Sequence, residues 1–119
     1  MKLPGPDHPI AIAPFTGRVC VRLGGHIVAE TDRALRLSEA SYPDVFYVPR
    51  GDVRMDAFAR TQRSTHCPYK GDAAYFDLSA GDRHVQNVAW SYEAPYPAMA
   101  AIRDHLAFYP DKVEIEARP

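Results

Sequence analysis

The chain has 119 residues, a formal charge of −1 and a hydrophobic fraction of 46%. That length fits one domain able to bury a core without disulfide or metal staples. The near-neutral balance disfavours nucleic acid and anionic membranes as partners, and no apolar run approaches the roughly 18 residues that span a bilayer.

Residues 1–17 hold Pro4, Gly5, Pro6, Pro9, Pro14 and Gly17 and read as an irregular N-terminal arm, partly pinned by Ile10, Ile12 and Phe15. The stretch Met1 to Pro14 has Lys2 but no apolar core of signal-peptide type, so a reducing, cytoplasmic location is expected. There Cys20 and Cys67 are expected as free thiols. Residues 18–119 read as a single globular domain. Val19, Val21 and Leu23 alternate with Arg18, Cys20 and Arg22 at strand period. Gly24-Gly25 follows, and Ile27 and Ala29 alternate with His26 and Val28. A Gly-Gly link of this kind turns a hairpin with positive φ angles.

Leu35 and Leu37 mark a third short strand, Tyr42-Pro43-Asp44 a turn, and Val45 to Val48 a strand stopped by Pro49. Asp52 resembles a helix N-cap, and Met55 and Phe58 behind it predict a short helical turn near 52–59. Residues 65–71 read as a turn. Ala73 to Leu78 and His84 to Tyr92 read as paired strands around Ser79-Ala80-Gly81-Asp82. Pro97 suits a helix start, and Met99, Ile102 and Leu106 predict one C-terminal helix of about ten residues. Val113 and Ile115 mark a final strand. Eleven prolines and seven glycines favour short strands over long helices. The expected fold is mainly β (α+β), a curled antiparallel sheet or small barrel-like fold with one C-terminal helix.

Reactive side chains concentrate in Thr65-His66-Cys67-Pro68-Tyr69-Lys70-Gly71, and loops on a rigid scaffold tend to carry function. Cys67 becomes a nucleophile as the thiolate, which a nearby Lys70 favours; the bland alternative is a small buried hydrophobe. Lys70 and Gly71 could present an ammonium and backbone N–H groups to an anion, or form an ordinary turn with a solvated lysine. Glu39 continues the period of Leu35 and Leu37, which points it inward, where a carboxylate needs a partner or a raised pKa; the alternative is a strand-end carboxylate in water. Residues 49–70 hold five basic side chains, Arg50, Arg54, Arg60, Arg63 and Lys70, against Asp52 and Asp56. Such a segment steers an anionic ligand or is a solvated face with weak ion pairs. Trp90, Tyr92, Tyr96, Phe108 and Tyr109 line a pocket or build packing. His26, His66, His84 and His105 lack metal-ligand spacing, and two cysteines cannot make a four-thiolate site, so no metal is expected.

Several elements recur together: Ile27-Val28-Ala29-Glu30-Thr31, the Glu39 region, Tyr47-Val48-Pro49-Arg50-Gly51-Asp52-Val53, Thr65 to Gly71, Trp90-Ser91-Tyr92-Glu93-Ala94-Pro95, and Val113 after Phe108-Tyr109-Pro110. In order and spacing they resemble the bacterial family known as domain of unknown function 427, over most of residues 18–116. The resemblance implies a small, mainly β cytoplasmic domain that often stands alone. The family's recurring residues match Glu39, Thr65, Cys67, Pro68, Lys70, Gly71, Trp90 and Tyr92, candidates for one shared pocket. The family has also carried a nucleotidyltransferase label. The Gly-Ser element and paired Asp-x-Asp ligands of that chemistry are absent here, which leaves nucleotidyl transfer a distant third reading.

The leading expectation is a small-molecule-binding domain or small enzyme. Cys67, Lys70 and Glu39 are its catalytic candidates, and Thr65, Tyr69, Trp90, Tyr92 and Arg50 its ligand-binding candidates. The partner would be an anionic small molecule; the cofactor is undefined. The rival expectation is a non-enzymatic interaction module or homodimer, joined through exposed strand edges.

Overall fold

The computed structural model describes residues Met1–Pro119. Strand β1 spans Ile10–Pro14, β2 Arg18–Leu23, β3 His26–Thr31, β4 Leu35–Glu39 and β5 Val45–Pro49. Then come β6 (Phe58–Cys67), β7 (Gly71–Ala80), β8 (Arg83–Ser91), β9 (His105–Phe108) and β10 (Glu114–Arg118). A seven-stranded sheet runs β1-β4-β5-β9-β8-β7-β6, and a three-stranded sheet runs β10-β2-β3. Every ladder is antiparallel. The mainly β expectation holds. The barrel alternative does not, because β1 and β6 end the large sheet without pairing to each other.

The β2–β3 hairpin forms at Gly24 and Gly25, whose φ angles are +56° and +84°. Both are positive, as a tight two-residue hairpin turn requires. Alternation along each strand then sorts side chains into two cores. Val19, Val21, Leu23 and Val28 of the small sheet pack on Val48, Phe76, Leu78, Val88, Leu106 and Phe108 of the large one. Their strand neighbours point the other way. Leu37, Tyr47, Ala73, Tyr75, Tyr92 and Ala107 gather on the opposite face with Met99 and Ile102.

That second face is concave. Strands β4 and β7 are four positions apart in the large sheet, about 19 Å if it were flat at roughly 4.8 Å per strand. Yet Lys70, in the β6–β7 turn, touches Glu39 at the end of β4. Only a strong curl brings them together.

Four local expectations are corrected. The C-terminal helix is absent: residues 97–102 make a 3-10 segment kinked at Met99 (φ −111°, ψ 18°). Asp104 turns the chain at φ +56°, and β9 follows. The apolar spacing is split between the two cores, Met99 and Ile102 on the concave face and Leu106 between the sheets. No single helix serves both. Strand β9 also fills the slot between β5 and β8, where both neighbours need ladder partners.

The helical turn near 52–59 is two separate 3-10 turns, Arg50–Asp52 and Met55–Ala57, and Phe58 already belongs to β6. Asp52 caps nothing; its carboxylate accepts from the Thr31 hydroxyl at 2.7 Å and from Arg33 at 3.0 Å. The turn predicted over 65–71 is shorter, since Thr65, His66 and Cys67 finish β6. As an edge strand, β6 has one covered side and shows no clean hydrophobic alternation. It also bulges: Arg60 faces Phe76 and Ser64 faces Ala74, so two extra residues sit on β6. Finally, the arm is not irregular throughout. Ile10 and Ile12 alternate within β1, which pairs with β4 from Ile10↔Glu39 to Pro14↔Leu35.

Leu78 is 0% exposed in the inter-sheet core. Leu78→Ala should lower the unfolding free energy by about 3 kcal/mol, the cost of a cavity in a core that relaxes poorly, as read by urea unfolding.

Candidate functional site

The β6–β7 hairpin closes at the Cys67↔Gly71 pair. Gly71 sits at φ +109°, a conformation that glycine adopts without strain. Pro68, Tyr69 and Lys70 form the link. Its backbone is held from two sides: the Lys2 N–H donates to the Pro68 carbonyl at 2.7 Å, and the Tyr96 N–H to the Lys70 carbonyl at 3.0 Å. So anchored, the lysine turns inward and is only 6% exposed. The solvated-lysine alternative is excluded.

The Lys70 ammonium donates to Glu39 Oε1 and lies 3.8 Å from Cys67 Sγ. The other carboxylate oxygen, Oε2, is 2.7 Å from His8 Nε2. The His8 ring in turn stacks on Tyr69, with centroids 4.2 Å apart and planes 5° from parallel. Arm, strand end and hairpin thus contribute His8, Glu39, Cys67, Tyr69 and Lys70 to one cluster. Burial alone would raise the Glu39 pKa. The bonds from Lys70 and His8 outweigh it and hold the carboxyl below the ordinary range.

Tyrosines surround this cluster. Burial pushes the Tyr47 hydroxyl well above its ordinary pKa. The same holds for Tyr92, where burial is reinforced by the charges of Tyr47, Cys67, Tyr75 and Glu39. Thr65 Oγ1 lies 2.9 Å from the Tyr75 hydroxyl, and the Arg63 guanidinium sits 4.8 Å over the Tyr75 ring. Burial raises the Tyr75 pKa, but hydrogen bonds with Thr65, Tyr109 and Arg63 leave it below the ordinary value. Tyr109 moves the opposite way, pushed up to about 12 by burial first and by Tyr75 second.

Two candidates lie elsewhere. Trp90 packs edge-on to Tyr47 at 6.5 Å and against Tyr109 at 4.6 Å. It lines a separate apolar hollow with Phe46 and Phe108. Arg50 lies over Phe76 of the inter-sheet core at 5.5 Å and pairs with Glu93 at 2.9 Å; its Nε is buried without a partner. Arg60 shares the same Glu93 carboxylate. Much of the basic segment is therefore spent on ion pairs and ring contacts. None of the surface hollows is lined by Glu39, Cys67 or Lys70; His8, bonded to Glu39 and stacked on Tyr69, packs beside them.

Sequence reasoning missed His8, although a signal for it exists: it continues the alternation of Ile10 and Ile12 toward the face that meets Glu39. It also missed Tyr47 and Tyr75, which read only as strand aromatics.

A curled, mainly β domain with an acid–base cluster under its own N-terminal arm is the class that this geometry defines. The family model described as a domain of unknown function (DUF427) matches residues 11–118, and the chain belongs to that family. No curated protein matches the chain.

Removing one partner strands the other's charge in a poorly solvated place. Lys70→Met should cost about 3 kcal/mol in chemical denaturation, while Glu39→Met combined with Lys70→Met should cost clearly less than the two single changes together. Acid should also act through this pair. The folded Glu39 carboxyl ionises below its unfolded value, so its contribution is complete above about pH 4.3 and is lost as pH falls through the folded value. Below about pH 5, Glu39→Gln should therefore lose stability less steeply than the native chain in pH-dependent thermal melts.

Proposed function

We propose that this domain binds a small molecule bearing a carboxylate or carbonyl group at the Glu39–Cys67–Lys70 cluster, with the arm segment around His8 lifting to admit it. The supporting observation is the inward Lys70 ammonium, within reach of both a carboxylate and a thiol. An ammonium buried this way is costly to desolvate, and one held inward beside a carboxylate and a thiol marks a functional-site candidate. Lys70 would receive the ligand's oxygen, Tyr69 would move with His8, and Thr65 and Tyr92 would flank the opened space. Trp90 stands one ring further on, behind Tyr47. Arg50 takes no direct part.

Two reactions suit these groups. In one, the Cys67 thiolate adds to an acyl carbonyl and the leaving group departs with a proton from Lys70. In the other, Lys70 and Glu39 exchange a proton with a bound ligand. A reducing, cytoplasmic setting in a bacterial cell fits the two free thiols, Cys20 and Cys67.

A second reading, a non-catalytic interaction or homodimerisation module, is favoured by one observation: the cluster satisfies its own bonds and borders no hollow. The unpaired edges of β1 and β6 would then carry the contact.

Iodoacetamide labelling of Cys67 across pH, in the native chain and in His8→Ala, separates the readings. The binding proposal expects faster labelling in His8→Ala. It also expects a carboxylate or carbonyl compound from a metabolite panel to raise the melting temperature and to protect Cys67. Equal, slow labelling in both chains, no hit in the panel and a concentration-dependent dimer in light scattering would establish the module instead. Labelling that needs an apparent pKa at or above about 8.5 removes thiolate catalysis alone.

A further inference from the structure

Strand β5 pairs with β9 only at Val48↔Leu106 and Pro49↔His105. Toward Val45 and Phe46 the two strands part, while β9 stays paired to β8 through Phe108. The gap opens into a hollow of about 410 Å³ where the two cores meet. Phe46 and Phe108 reach it from the inter-sheet side and Trp90 from the concave side. Tyr42, 64% exposed, stands at the rim. Four aromatic rings therefore bound one opening.

Its single charged lining residue is Asp44. This carboxylate is exposed and engages in no ion pair or side-chain hydrogen bond. No lysine or arginine lines the hollow. The chain's own cations already use neighbouring ring faces: Arg36 lies 5.9 Å from the centroid of Phe46, itself a lining ring, and Lys112 caps Tyr109 at 5.4 Å. Tyr42, Trp90 and Phe108 carry no such partner.

From this geometry we propose that the hollow between β5 and β9 binds a small organic ammonium with an apolar body. The body would fill the aromatic gap, and the cation would sit at its mouth between the exposed Tyr42 ring and Asp44. Ring quadrupoles attract a cation and the apolar lining admits its hydrocarbon part. The carboxylate at the mouth selects the positive group over a neutral one. This site is distinct from the polar cluster under the arm and does not depend on it.

The chain contains one tryptophan, and it lines the hollow, so its fluorescence reports occupancy directly. The probes are phenethylamine and benzyltrimethylammonium, with phenethyl alcohol as the neutral match. Both cations should change Trp90 emission saturably, and the alcohol should bind at least about five-fold more weakly. Asp44→Asn and Tyr42→Ala alter exposed side chains and should preserve the melting temperature. Each should weaken phenethylamine by a similar factor. Cys67→Ala should keep the full response, which separates this site from the one proposed above. Emission unchanged up to millimolar cation overturns the proposal. So does equal affinity for amine and alcohol, or an Asp44→Asn chain that binds the amine as well as the native chain.

Discussion

The contact between Glu39 and Lys70 governs the shape of the large sheet. It joins the end of β4 to the β6–β7 turn across four strand positions, and no backbone ladder assists it, because β1 and β6 never pair. The sheet twists by itself, but twist alone does not specify which side chains meet across its mouth. The arm completes the clasp: β1 adds itself to β4, which brings His8 to the same carboxylate and lays its ring on Tyr69. Behind the clasp lies the concave core of Leu37, Tyr47, Tyr75, Tyr92 and Ile102. On the convex side the small sheet packs against alternate residues of the same strands.

An ion pair is an expensive way to hold two strand ends. Desolvating both charges offsets most of their attraction, and a well-packed apolar pair of the same volume often holds as firmly. The depressed Glu39 carboxyl shows which side wins here. Burial works against the charge, yet two donors on its two oxygens hold it ionised. The arrangement keeps an ammonium, a carboxylate and a thiol in reach of one another at a place where three chain segments converge. Stability alone does not call for that combination.

How much of this was legible depends on how local the information was. The β2–β3 hairpin was readable because Gly24-Gly25 encodes its own turn. The inward side of Glu39 followed from the period of Leu35 and Leu37, and the density of Thr65 to Gly71 located the cluster. Strand β6 was not readable, since an edge strand with one covered side and a bulge loses the alternation that marks a strand. The residues 99–106 misled for a different reason. Their i, i+3, i+7 spacing is a helical signal, but Met99 and Ile102 bury on one face of the sheet and Leu106 on the other. That division exists only once β9 has entered between β5 and β8. His8 was hidden because its partner is 31 residues away and a proline-rich arm gives no sign of docking. Arg50 was readable as a charge, but its pairing with Glu93, 43 residues on, was not.

The insertion of β9 links the two regions where chemistry concentrates. Although β9 has four residues, it pairs with β5 only through His105 and Leu106, so the sheet halves join at Val48 and Pro49 and separate beyond. The consequence is the aromatic gap. Tyr47 stands between the two regions: its ring meets Trp90 edge-on, and its hydroxyl feels the Glu39 and Cys67 charges. Tyr47 thus marks the boundary where the two regions meet in a curled sheet joined by its shortest strand.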